Sequence, residues 1–221
     1  MSADFPDFSG RSFGFLCFPA FEELDLIGPW EIATMWSSYA RGPRCLTVAA
    51  STSPMKCAKG LTVVPDVDYA ACPGLDYLLV PGGFSAFEAM KDPALIDFLT
   101  RQAAGARAVL SVCTGSFILG AAGLLAGKRA TTHWKALPRL RALPGVRVEE
   151  TRWTRDDKVW TSGGVSAGID LMLGFIAAEA GEAVASSVQW NAEYYPDDIR
   201  YGSAHVSVEA PASRGSRPRA A

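Results

Sequence analysis

Histidine is almost missing from this chain: His133 and His205 are the only two among 221 residues. Chemistry that needs a cluster of imidazoles is thereby excluded. The five cysteines, Cys17, Cys45, Cys57, Cys72 and Cys113, are odd in number and contain no C-x-x-C spacing. A disulfide framework or a zinc site is therefore not expected, and reduced thiols in the cytoplasm are the simpler reading. No apolar run reaches the roughly 18 to 20 residues of a spanning helix. The best candidate, Ile169 to Ala178, is broken by Asp170 and bounded by Glu179. No sign of charge dominates either: the formal net charge is −2, which removes the broad electrostatic drive toward nucleic acid or anionic membrane. The stretch Met1 to Asp7 lacks the basic and apolar parts of a signal peptide.

What is present is an ordinary globular balance, 49% hydrophobic and 20% charged, with length for one large domain. Short apolar runs alternate with helical patterns, which argues for a mostly parallel α/β sheet with helices on both faces. Phe13 to Phe18 reads as a central strand, followed by a helix to about Tyr39 with Pro29 in its first turn. Arg44 to Ala50 and Asp76 to Val80 read as further strands, and Leu61 to Val67 as an edge excursion. Pro93 to Ala104 reads as a helix. Val146 to Glu150 and Val159 to Thr161, about a polar turn at Arg155 to Lys158, suggest a hairpin or neighbouring strands. Gly163 to Gly168 opens a helix through Ala180, and Glu182 starts another to about Tyr194. The reading is an extension over 1–12, one domain over 13–205, and a polar, disordered tail over 206–221.

The stretch that organises the rest runs from Val109 to Ser116. Ala108 to Val112 has the composition of a buried strand, and Phe117 to Leu125 that of a small-residue-rich helix. Cys113 thus falls where a strand breaks sharply into a helix, with Ser111 and Gly115 small enough to permit the turn. This is the thiol counterpart of a nucleophile elbow. The helix N-terminus behind it is expected to stabilise a thiolate and lower the thiol pKa.

Ligands of doubly wound sheets bind at the strands' carboxyl ends. Pro81-Gly82-Gly83 should converge there with the elbow, and the Gly82 and Gly83 N–H groups are suited to hold developing negative charge. Asp25 lies between Leu24 and Leu26, so its carboxyl enters apolar surroundings and either finds partners or rises in pKa. Helix capping is its other role. His133 lies in Thr131-Thr132-His133-Trp134, where a structural role competes with that of a base. The six tryptophans are too scattered for a stacking platform.

Taken together, Phe15 to Pro19, Glu23 to Pro29, Pro81 to Gly83, Ser111 to Ser116, Leu124 to Trp134 and Thr161 to Asp170 resemble the ThiJ/PfpI superfamily. The motifs stand in the same order over roughly residues 13 to 200. Leu24-Asp25-Leu26 before Gly28-Pro29, and Cys113-Thr114-Gly115 at the elbow, are similar to the isonitrile (isocyanide) hydratase branch. The resemblance implies a flavodoxin-like, class I glutamine amidotransferase-like domain, a homodimer with the site near the subunit interface, and no cofactor or metal. It maps the nucleophile onto Cys113, the essential acid onto Asp25 and a site hydroxyl onto Thr114. Peptidase-like relatives carry His after the cysteine and glyoxalase-like relatives carry Glu at the acid position, so both activities are disfavoured. The stretch after Pro196 departs from the branch in being short and polar.

The expected reaction is hydration of a small-molecule isonitrile to an N-substituted formamide. Cys113 attacks the terminal carbon, Asp25 protonates it and then activates water. The alternatives are a glyoxalase, deglycase or redox-sensing thiol protein of the same superfamily, and a non-enzymatic sensing domain related to AraC-type regulators. DNA binding is not expected, since too little chain follows Gly202 for a helix-turn-helix.

Overall fold

The fold is taken from a computed structural model that describes residues 5–196. His205, the tail and the C-terminal end of the domain lie outside these residues. In chain order the first half comprises β1 (Ser12–Leu16), α1 (Glu23–Ala40), β2 (Arg44–Ala49), β3 (Met55–Lys56), β4 (Thr62–Val63), β5 (Val67–Asp68) and β6 (Tyr77–Val80). Then come α2 (Ala86–Ala89), α3 (Pro93–Gly105), β7 (Ala108–Ser111), α4 (Gly115–Ala121), β8 (Arg129–Ala130) and α5 (Leu137–Arg141). The last elements are β9 (Arg147–Val148), β10 (Trp153–Asp156), β11 (Val159–Ser162), α6 (Ala167–Ala180) and α7 (Glu182–Asn191).

The main sheet has the order β10-β11-β7-β6-β1-β2-β5. All its pairings are parallel except the β10–β11 hairpin at one edge. The residues of β6 and β7 are buried without exception, which is why these strands lack polar alternation. Helices α1, α6 and α7 pack on one another. Beneath them Phe13, Trp36, Tyr77 and Phe175 meet at ring-centroid distances of 5.1 to 6.5 Å.

Two expectations change. The strand at Val146 to Glu150 does not join the hairpin: Arg147–Val148 pairs in parallel with Arg129–Ala130, and Trp153–Asp156 is the partner of β11. Pro29 lies in the second turn of α1, not the first, where it removes the N–H that would bond the Asp25 carbonyl. There α1 meets α6 closely: a Cβ on Gly168 would stand 2.8 Å from Pro29 Cγ. The contact brings the start of α1, and Asp25 with it, against the loop that precedes α6.

Candidate active site

Four strands, β1, β6, β7 and β11, release their chains at one sheet edge, and the loops that follow converge. From β7 the chain passes through Val112, whose N–H bonds the Val80 carbonyl at 3.0 Å, into Cys113 at φ 57°. That is the left-handed region, uncommon for any side chain other than glycine. The carbonyl of Cys113 accepts from Thr132 Oγ1 at 2.8 Å and Ser116 Oγ at 3.2 Å, and its N–H bonds Gly163 at 3.0 Å. The elbow is thus fixed on both sides of the strained residue. Only glycine fits opposite it: a Cβ on Gly82 would lie 2.5 Å from Thr114 N, and one on Gly115 2.4 Å from Val80 O.

Asp25, in the first turn of α1, is wholly buried. Its Oδ2 accepts the Gly82 N–H at 2.9 Å and its Oδ1 the Val165 N–H at 3.0 Å. Burial raises its pKa from 3.8 to about 7, against the opposing pull of those two amides. Asp25 and Cys113 lie close enough for each to shift the pKa of the other. Burial, with the negative charge of Asp25 added to it, pushes the Cys113 thiol up to about 12. This corrects the expected lowering by the helix behind the elbow. Helix α4 has only seven residues, and the Thr114 amide lowers the pKa by less than burial raises it. The low-energy state at neutral pH is therefore a thiol beside a carboxyl poised near 7, not a free thiolate.

The Gly82 and Gly83 amides also act otherwise than expected. Gly82 N–H holds Asp25, and Gly83 N–H donates to Thr114 Oγ1 at 2.8 Å. Neither is left facing a substrate, so the assignment to developing negative charge gives way to one of fixing the acid and the hydroxyl. Thr114 donates back to the Gly83 carbonyl at 2.7 Å, with its oxygen 4.0 Å from Cys113 Sγ. His133 is half-buried, its Nδ1 accepting from the Lys135 N–H at 3.3 Å. A Cβ on Gly164 would meet its ring at 2.2 Å, so the imidazole backs the loop that carries Val165. Sequence reasoning missed Val165 and Thr132. Val165 acts through its backbone amide at φ 55°, which no side-chain pattern announces. Thr132 had a signal in its place beside His133 but no evident target.

Among the described residues no group of three or more His, Cys, Asp or Glu could hold a metal ion, and no helix is long and apolar enough to cross a membrane.

The DJ-1/PfpI family model matches residues 11–178. The chain belongs to this family. It is 41% identical to an isonitrile hydratase of Pseudomonas putida over 183 residues, 83% of this chain and 78% of that protein. A crystal structure of a ThiJ/PfpI family protein from Pseudomonas syringae superposes with a TM-score of 0.82 at 33% identity, covering 91% of this chain and 82% of that one. The HTH-type transcriptional regulator CdhR of Pseudomonas aeruginosa is 31% identical over 80% of this chain, which spans 53% of the regulator. In this family member the fold is the one the sequence motifs implied.

Proposed function

We propose that the protein hydrates isonitriles to N-substituted formamides, with Cys113 as nucleophile and Asp25 as the proton carrier. The observation that carries this reading is the buried Asp25–Cys113 pair, in a chain 41% identical to an isonitrile hydratase. Attack of sulfur on the terminal carbon of R–N≡C transfers the thiol proton to the Asp25 carboxylate. The developing carbanion takes that proton back, giving the thioimidate R–N=CH–S–Cys113. Asp25, ionised again, removes a proton from water as the oxygen adds to the carbon and passes that same proton to the nitrogen. Collapse of R–NH–CH(OH)–S–Cys113 expels the thiol and leaves R–NH–CHO, so one water is added and nothing is oxidised.

Two backbone amides keep Asp25 aimed through both half-reactions, and Thr114 fixes the glycine loop over them. Peptide hydrolysis would require an acid to protonate a leaving amine, which hydration does not. We take the working unit to be a cytoplasmic homodimer. Phe84, 95% exposed and adjoining Gly83, and Leu24, beside Asp25 in sequence, give the partner an apolar surface next to the site. Light scattering should give twice the chain mass. Purified protein should convert cyclohexyl isonitrile to the formamide without added metal or cofactor, and Cys113→Ala should abolish the conversion. Consumption of methylglyoxal with no turnover of several isonitriles would overturn the reading.

A further inference from the structure

A cavity of about 440 Å³ opens over the carboxyl ends of β1 and β2. That size is within the range of pockets that enclose small molecules. It contains none of Cys113, Asp25, Thr114 or Gly82. The loop after Gly83 lies between it and the Cys113 site, where Ser85 Oγ donates to the Ala20 carbonyl at 2.6 Å. The cavity and the Cys113 site therefore flank one loop, on the edge where doubly wound sheets take ligands.

The lining is divided by chemistry. Phe18, Pro19, Met55, Ala89 and Leu95 give it an apolar floor. Tyr69 is held rigid there by stacking on Phe98, with ring centroids 4.4 Å apart and 14° between planes. Burial and the nearby Asp92 hold the Tyr69 phenol well above its usual pKa, so it stays neutral. The charged groups among the lining residues are two carboxylates, Glu88 and Asp92, with no basic residue among them. Asp92 uses Oδ1 to cap the Ala94 N–H at 2.9 Å, which leaves its other oxygen uncommitted. Glu88 is paired with Lys91 at 2.8 Å, and Lys91 does not line the cavity.

We propose that this cavity is a second small-molecule site, for a compact apolar ammonium ion. The hydrocarbon body lies on the floor, and the ammonium group is shared between Asp92, Glu88 and the Tyr69 oxygen. An anion would meet two carboxylates, and a wholly polar ligand would leave the floor without contact. The site is independent of the reaction proposed for Cys113.

Cyclohexylammonium chloride, titrated calorimetrically at constant ionic strength into the intact protein, should bind saturably. Cyclohexanol, of similar shape without the charge, should bind at least tenfold more weakly. Asp92→Asn, which preserves the helix cap, combined with Glu88→Gln should weaken the ammonium ion about fivefold, the size of a surface charge contribution. Ser53→Trp, at the exposed rim, should block the site and leave alkylation of Cys113 by iodoacetamide unchanged. Absence of saturable binding, or equal binding of cyclohexanol, would overturn the proposal. So would binding that survives Ser53→Trp and disappears when Cys113 is alkylated, because the ligand would then be at the Cys113 site.

Discussion

Cys17 and Cys113 follow parallel strands of the same sheet, are both buried, and have thiols pushed up to about 12 chiefly by burial. By pKa they are indistinguishable. They differ in backbone and neighbour. The Cys17 N–H extends the ladder of β1 to Val48, and its sulfur lies 3.8 Å from the Phe15 carbonyl. Cys113 stands at φ 57° beside a carboxyl held by two amides. On the proposed mechanism, reactivity is a property of the pair and not of a depressed thiol pKa. In that mechanism a base that can take the thiol proton during attack replaces the stable thiolate that an elbow usually suggests.

The largest test of that comparison removes the base. Asp25→Asn should reduce turnover ~10² to 10⁴-fold, the usual contribution of an acid–base group, and slow alkylation of Cys113 at neutral pH in parallel. Cys17→Ala should leave both rates within a factor of two or so of wild type, since the Asp66 carboxylate near it acts on the thiol only through charge and is bonded to Thr47. Peptide mapping after limiting iodoacetamide reads both variants. Labelling of Cys17 ahead of Cys113 would erase the distinction.

A smaller effect is the pH dependence. The pair holds one proton between about 7 and about 12, and these values belong to the pair as a unit. Below 7 a second proton silences the base, so kcat/KM should rise tenfold per pH unit up to about 7 and then level. Asp25→Asn should lack that limb. Stability should respond in the opposite sense. The carboxyl pKa is raised from 3.8 to about 7 on folding, so the folded state binds the proton more tightly within that window. Its stabilising contribution is complete below about 4 and is lost as pH rises to about 7, on the order of 4 kcal/mol. Thermal unfolding at pH 4.5 and 7.5 should show this slope in wild type and a flatter one in Asp25→Asn.

The layout of the sheet was legible because buried strands such as Leu78 to Val80 and Val109 to Leu110 carry unbroken apolar runs between turn residues. The break from strand to helix at Cys113 was legible in the small residues around it, and at Gly115 a Cβ would meet the Val80 carbonyl at 2.4 Å; the acid role proposed for Asp25 came from the family resemblance, since the apolar neighbours alone left capping open. The rest was not written in side-chain periodicity. Helices α2 and α5, of four and five residues, are too short to show a period. The parallel pairing of Arg147–Val148 with Arg129–Ala130 is a long-range choice that local β-propensity does not encode. The targets of the Gly82 and Val165 amides depend on where separate loops arrive in space, so the same Gly82-Gly83 pair read equally well as an oxyanion site.

The finest test concerns Val165, the other strained position against Asp25. A β-branched residue at φ 55° is a genuine outlier, and such a conformation costs about 1–3 kcal/mol. The loop tolerates it because the Val165 N–H reaches Asp25 Oδ1 while Gly164 is pressed against the His133 ring. Val165→Gly removes the strain but frees the backbone, which by itself destabilises by ~0.5–1 kcal/mol, and it deletes a half-buried side chain. These terms oppose, so stability should stay within ~1 kcal/mol of wild type. The amide, no longer confined, should hold Asp25 less firmly. A carboxylate that loses a donor rises in pKa, so the acid limb should move upward while kcat falls roughly three- to tenfold and KM stays the same. A loss of stability well beyond 1 kcal/mol with an unmoved acid limb would show that Val165 merely packs, and that Gly82 alone holds the acid in place.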